Sequence, residues 1–194
     1  MTLAGQLFEN RVLQSVSAAG QDLARKEFSG CVFKGCDLSE CKLSGSVFID
    51  CTFVDCNLSN IKINCCSFRH VTFEGCKLTG VVFSAVNPFL LDWDFKKCKI
   101  EMCNFSALKM KRSRFVECVI RRTDFINADI SESDFSGSDL TGSKFQHTVL
   151  EKSNFVGAYH YYIDPANNKL KQAKFSYPEI LSLLAPFEVK VEDI

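Results

Sequence analysis

Every fifth residue of this chain is large and apolar. The column runs Leu3, Phe8, Leu13, Ala18, Leu23, Phe28 and on to Phe83, with Ala18 its one weak member. After two extra residues it is expected to resume at Leu90 and to run through Phe95, Ile100 and Phe105 to Phe155. Fifteen of the 18 Phe lie on it. A period of five fits neither a helix at 3.6 nor a flat strand at 2. It fits a chain that turns a corner every five residues and points one large side chain inward from each side.

Three independent columns agree. The residue two before each centre is mostly Cys, Ser, Thr, Ala or Val. Ten of the eleven cysteines sit there (31, 36, 41, 51, 56, 66, 76, 98, 103 and 118), and only Cys65 is off register. Small side chains are needed because the centres already fill the interior, and a free Cys packs as a small hydrophobe. All ten glycines fall two after a centre, where a type II turn requires positive φ. Pro88, Pro165, Pro178 and Pro186 all lie outside the regular runs, since a central ladder cannot accept a residue without an N–H. Like residues recur at twenty, as in Phe8, Phe28, Phe48 and Phe68, or Leu38, Leu58 and Leu78. Four sides therefore make one coil. Seven to eight coils at strand spacing give a rod about 35 Å long.

The segments DLSEC (37–41), NLSNI (57–61), DFSGS (134–138) and DLTGS (139–143) resemble the repeat of the pentapeptide-repeat family, roughly A(D/N)LXX. The resemblance covers residues 3 to 158. It implies an all-β fold, a right-handed quadrilateral β-helix. The domain reading is a β-helix over 1–158, interrupted near 84–94, and a capping segment with a C-terminal helix over 159–194.

Two breaks and a tail depart from the repeat. Ser84–Asp94 holds an Asn-Pro turn signal, the only Trp and the off-register Phe89 and Leu91. It reads either as a bulged corner packed on the rod or as a projecting contact loop, with Asn87, Leu91 and Trp93 as contact residues. Val156–Lys169 carries three of the four Tyr and His160, and reads as a capping loop or an interface. Leu170 and Phe175 return to the phase of five. In the tail, Ser176 and Glu179 have capping-box spacing. Tyr177, Ile180, Leu181, Leu184 and Phe187 give a short helix an apolar face, a candidate homodimer contact. Phe187, Val189 and Val191 alternate like a short edge strand.

The 23 basic and 23 acidic residues cancel, so nothing drives the whole chain toward nucleic acid. Their distribution is uneven. Lys96–Arg122 has nine basic and two acidic residues; Asp124–Asp139 has five acidic and none basic. Asp124, Asp129, Asp134 and Asp139 each precede a centre and so ring one coil. Lys109 with Asp129, and Arg114 with Asp134, are twenty apart and expected to pair between coils.

Enzymatic chemistry finds no foothold. The cysteines recur at fives rather than as C-x₂-C pairs, so packing is expected rather than a metal site. No nucleophile motif, phosphate loop or H-E-x-x-H is present. His70 and His147 fall at corners facing solvent. No enzyme, cofactor or metal is expected. Residues 1–20 lack a basic start followed by an apolar core, and no apolar run reaches 18 residues. A cytoplasmic protein with no membrane contact is expected.

Within the family, the chain is similar to the quinolone-resistance and peptide-toxin immunity proteins. The tail KLKQAKFSYPEILSLLAPFEVKV (169–191) carries this, with a last repeat, a Leu-rich helix and a short apolar ending. The resemblance implies a partner, a bacterial type II topoisomerase (gyrase or topoisomerase IV), and dimerisation through the C-terminal helix. It also implies a rod imitating DNA, which asks for an acidic surface that this neutral chain does not have throughout. The other reading is a scaffold or adaptor for a different cytoplasmic protein.

Overall fold

The five-residue period closes into a four-sided, right-handed β-solenoid of about eight turns. The computed structural model describes residue 3 and residues 5–192, so the outermost residues of the 1–158 and 159–194 segments lie outside the described residues. The first face is a parallel sheet of Leu7–Glu9, Glu27–Ser29, Val47–Ile49 and Ser67–Arg69, paired Phe8 to Phe28 to Phe48 to Phe68. The second face is a six-stranded sheet from Val12–Gln14 to Arg114–Val116, with Phe33, Phe53, Phe73, Phe95 and Phe115 in register. The third face pairs Lys77–Thr79, Lys99–Glu101 and Val119–Arg121. Elsewhere the coils meet through single bridges such as Asp37 to Asn57 and Asp124 to Lys144.

Local sequence decides which corners are strands and which are tight turns. Val or Thr beside the centre favours extended backbone, as at Val32 and Thr52. Where Asp or Asn precedes the centre and Ser or Thr follows it, the side-chain oxygen accepts the N–H two residues on. Ser39 donates to Asp37 (3.0 Å), Ser59 to Asn57 (3.2 Å), Ser131 to Asp129 (3.2 Å) and Thr141 to Asp139 (3.2 Å). These Asx turns fold the corner without a strand.

The interior is two kinds of column. The centres form face-to-face stacks: Phe33, Phe53 and Phe73 lie 4.5 and 5.2 Å apart, and Phe105, Phe125 and Phe145 lie 5.2 and 5.1 Å apart. The small slots beside them are polar at one atom. All but Ser113 of the Cys, Ser and Thr side chains there aim at a carbonyl of the preceding coil, as Cys56 does at Phe33 (3.4 Å) and Ser153 at Ile130 (2.7 Å). All ten in-register cysteines are buried and Cys65 is exposed. Burial pushes the Cys66 thiol up to about 12 and the Cys51 thiol up to about 11, so neither is a reactive thiolate.

The corner position is left-handed at most coils, for nine of the ten glycines and for many other residues, but not at Gly5 or Ala85. Arg25 (φ 56°), Glu40 (φ 59°) and Met102 (φ 52°) adopt it alongside the glycines. The expected dependence on glycine is therefore narrower. At Gly75, a Cβ would collide with the Asp55 carboxylate one coil below; at Gly20 it would meet nothing within 4 Å.

The solenoid extends past residue 158: Phe155 stacks on Phe175 at 5.1 Å and Asn154–Phe155 pairs with Lys174–Phe175. A 3₁₀ helix follows, Glu179–Phe187, with Leu183 packed against the core. No capping box forms, because the Ser176 hydroxyl is used by the Gly157 N–H (2.9 Å) and Pro178 is the N-cap. Val189 and Val191 are exposed and lie in no strand.

Candidate interaction surface

The first break is where the repeat and the surface separate. Register calls for a first-face centre above Phe68, and the sequence offers Leu90. The structure turns Leu90 outward (φ 56°, 53% exposed) and leaves that interior volume to Trp93. Trp93 starts from a small slot, two before Phe95. Its indole reaches across to meet Phe68, Phe83, Phe95 and Phe105, with centroids 5.3 to 6.3 Å away. Its ring N–H donates to the Phe68 carbonyl (3.2 Å). Cys31 and Cys51, lower in the same slot column, make the equivalent bond to Phe8 and Phe28 (3.3 and 3.4 Å). Trp93 is 1% exposed and Leu91 is 5% exposed. Both are corrected from contact residues to core residues, because a missing centre would otherwise leave a void.

What faces solvent is the loop tip. Asn87 is exposed, its backbone N–H held by the Cys66 carbonyl (2.8 Å) and its side-chain oxygen accepting from Phe89 N–H (3.2 Å). Phe89 is 60% exposed, with the Arg69 guanidinium carbon 5.8 Å from its ring centroid. Asp92 ends the loop against His70: its carboxylate accepts the His70 backbone N–H (3.1 Å) and lies 3.3 Å from Nε2. The sequence marks Phe89 only as off register and His70 only as a solvent-facing corner, places Leu90 among the centres, and does not single out Arg69. The signal available was Trp93 in a small slot, which implies that its neighbouring centre points out.

A family profile described as a pentapeptide repeat region matches residues 7–88 and 89–157, so its two matches meet inside this loop. The chain belongs to the pentapeptide-repeat family. Among solved structures, the pentapeptide-repeat protein HetL from the cyanobacterium Nostoc, described as involved in heterocyst differentiation regulation, aligns at TM-score 0.56 and 14% identity. That alignment covers 88% of this chain and 87% of HetL. Full-length QnrB1, a plasmid-mediated fluoroquinolone resistance protein, aligns at TM-score 0.47 and 16% identity, over 92% of this chain and all of QnrB1. A trypsin-treated QnrB1 variant gives TM-score 0.44 and 21% identity, over 96% and 90%. No curated protein sequence matches.

The acidic ring of this pentapeptide rod is differently employed than expected. Asp139 is buried, held by Arg121 (2.6 and 2.8 Å), with its other oxygen 3.3 Å from His160 and accepting from Thr141. Burial opposes its ionisation, but the Thr141 and Arg121 bonds outweigh it and hold the carboxyl below its ordinary value. Asp129 pairs with Lys111 (3.2 Å), and Asp124 sits 3.8 Å from Lys144. Asp134 accepts from Ser136 N–H and Asn154. Arg114 turns down to Asp94 (3.2 Å) rather than up to Asp134, and Lys111 rather than Lys109 takes Asp129. Asp129 and Asp139 both form turns and ion pairs, Asp134 forms a turn, and Asp124 pairs with Lys144.

At the C-terminal end Tyr177, Ile180 and Phe187 are exposed, while Leu181 and Leu184 are half-buried. Tyr161 is in the core against Phe155 and Phe175; burial and the nearby Glu179 carboxylate push its hydroxyl up to about 12. Among the described residues, no cluster of three or more His, Cys, Asp or Glu is arranged to hold a metal. No described helix is long and apolar enough to cross a membrane.

Proposed function

We propose that this pentapeptide rod is a non-catalytic binding protein that engages another protein through the first face at the break. One observation carries the reading: within residues 86–95 the core is completed by Val86, Leu91 and Trp93, while Phe89 and Leu90 are held in solvent. A rigid scaffold presenting a short pinned loop is a common binding arrangement, and exposed aromatic and Arg side chains carry much interface energy. Arg69 and Arg112, near this loop, form no ion pair among the described residues.

The more specific reading follows the resemblance of the C-terminal segment. The partner is then a bacterial type II topoisomerase, gyrase or topoisomerase IV, protected from a quinolone or peptide toxin. With three of the four ring aspartates paired to the chain's own lysines and arginines, contact through the loop suits this chain better than imitation of DNA. The test is a supercoiling assay with a quinolone or toxin, comparing wild type with the Phe89→Ser, Leu90→Ser double variant. Wild type should change the inhibition, and the folded double variant should lose at least about tenfold in potency, as expected for removal of interface anchors. If wild type neither inhibits nor protects any type II topoisomerase of its host, the partner is a different protein and the adaptor reading replaces this one. The exposed Tyr177, Ile180 and Phe187, with Leu181 and Leu184, are proposed to join two copies. Leu184→Asp should then yield monomers by sedimentation, and a wild-type monomer at high concentration would reduce the helix to a cap on its own rod.

A further inference from the structure

We infer that His70 is a proton-dependent latch that sets how firmly the loop 87–92 is held against the rod. Its consequence for binding rests on the loop being the contact surface; the latch itself does not.

His70 occupies a left-handed corner (φ 50°) between the coil below and the loop above. Its Nδ1 lies 3.2 Å from Asp50 Oδ1 and its Nε2 lies 3.3 Å from Asp92 Oδ2. A carboxylate only accepts hydrogen bonds, and a neutral imidazole has a single N–H. The Nδ1 contact with Asp50 is a hydrogen bond, whereas the Nε2 contact with Asp92 is an ion-pair contact that is attractive only when the ring is an imidazolium. In the neutral ring, one nitrogen turns a lone pair toward a carboxylate, and the loop or the lower coil loses its side-chain tie. The register supports the same geometry. Asp50 and His70 are twenty apart and Asp92 follows after the two-residue insertion, so the three stand in one corner column.

The surrounding charges do not supply a substitute. The hollow beside the ring holds Asp92, Asp94, Arg112 and Arg114 over Val71, Thr72 and Trp93. Asp94 is engaged by Arg114 (3.2 Å). Arg112 and the adjacent Arg69 oppose a positive ring, but neither forms an ion pair with Asp50 or Asp92 among the described residues. Two carboxylates within 3.3 Å of the ring outweigh cations that make no ion pair with either. One tie is independent of pH: the His70 backbone N–H to Asp92 Oδ1 at 3.1 Å. Raising the pH therefore loosens the loop without releasing it. All three side chains are at least half exposed, so solvent screening limits the effect to about fivefold.

The experiment is amide hydrogen exchange by NMR on the full chain at about pH 5 and about pH 8, the range over which histidine changes charge. Rates are corrected for the intrinsic pH dependence of exchange. Protection of the His70 and Phe89 amides should fall by about two- to fivefold at the higher pH, with Phe53 and Phe125 unchanged. His70→Gln and Asp92→Asn should flatten the response, and ring ¹⁵N shifts should show both His70 nitrogens protonated at the lower pH. A wild type without pH response, or the same response in His70→Gln, would overturn the latch. A working latch with partner binding indifferent to Phe89→Ser supports the latch and removes the loop from the binding role.

Discussion

The coils below the break and the coils above it solve one packing problem with different side chains. From Cys31 to Cys76 the small slots are dominated by thiols; from Ser113 to Ser153 they are mostly hydroxyls. Apart from Ser113, the thiols and hydroxyls within each block donate to the same place, the carbonyl 23 residues back. Cys56 reaches Phe33 at 3.4 Å, and Ser138 reaches Phe115 at 2.6 Å. Across the break the separation becomes 25, as in Cys98 to Phe73, because the loop adds two residues. The slot is thus defined by size and by one donor, not by sulfur. The outer corners differ as well. Asx-turn aspartates follow one another in the upper coils, at 129, 134 and 139, whereas the Asx turns of the lower coils, at Asp22, Asp37 and Asn57, are spread out.

The joint between the two blocks should be the most sensitive point. Trp93→Ala opens a void bounded by four rings and strips the Phe68 carbonyl of its indole donor. A loss of about 5 kcal/mol is expected, the upper end for an aromatic truncated to Ala. Urea titration measures it, and a loss below about 2 kcal/mol, well under that range, would mean the two blocks do not depend on this ring. Within each block the stacks are alike. Phe53→Ala and Phe125→Ala should therefore each cost about 3–5 kcal/mol, and a large difference between them would break the equivalence drawn here.

The slots should show smaller effects with opposite chemistry. Ser138→Ala orphans the Phe115 carbonyl and the Cys118 N–H, which donates to Ser138 at 2.9 Å; about 1–3 kcal/mol is expected. Cys56→Ser imports the upper solution into the lower block and should cost under about 1 kcal/mol if a hydroxyl serves that carbonyl equally well. Thermal or urea midpoints of the two variants decide whether the slots are interchangeable. Acid should also separate the blocks. Asp37, Asp129 and Asp139 have carboxyls lowered from their ordinary value of 3.8. A lowered folded value stabilises the fold above 3.8, and that contribution is lost as pH falls through the folded value. Two of the three lie in the upper coils, so amide protection near Ser131 and Thr141 should fall before that near Phe53 as pH is lowered from about 4 toward about 2, below the ordinary Asp value.

The period of five, the inward centres, the small slots and the left-handed corners were all legible in the chain, because each is repeated many times by side-chain size alone. In a solenoid every coil meets only its neighbours, so local periodicity and tertiary register are nearly the same information. The breaks were visible as departures from the period, but how the chain packs through them was not. At each, an aromatic from the next small slot fills an absent centre: Trp93 for Leu90, and Tyr161 where His160 (φ 57°) turns outward. That choice depends on the volume between several coils, which no stretch of sequence contains. The charges were legible as composition and not as surface. Whether Asp139 faces a partner or Arg121 is decided by which residue stands one coil away and which rotamer reaches it, and only the tertiary structure brings those groups together.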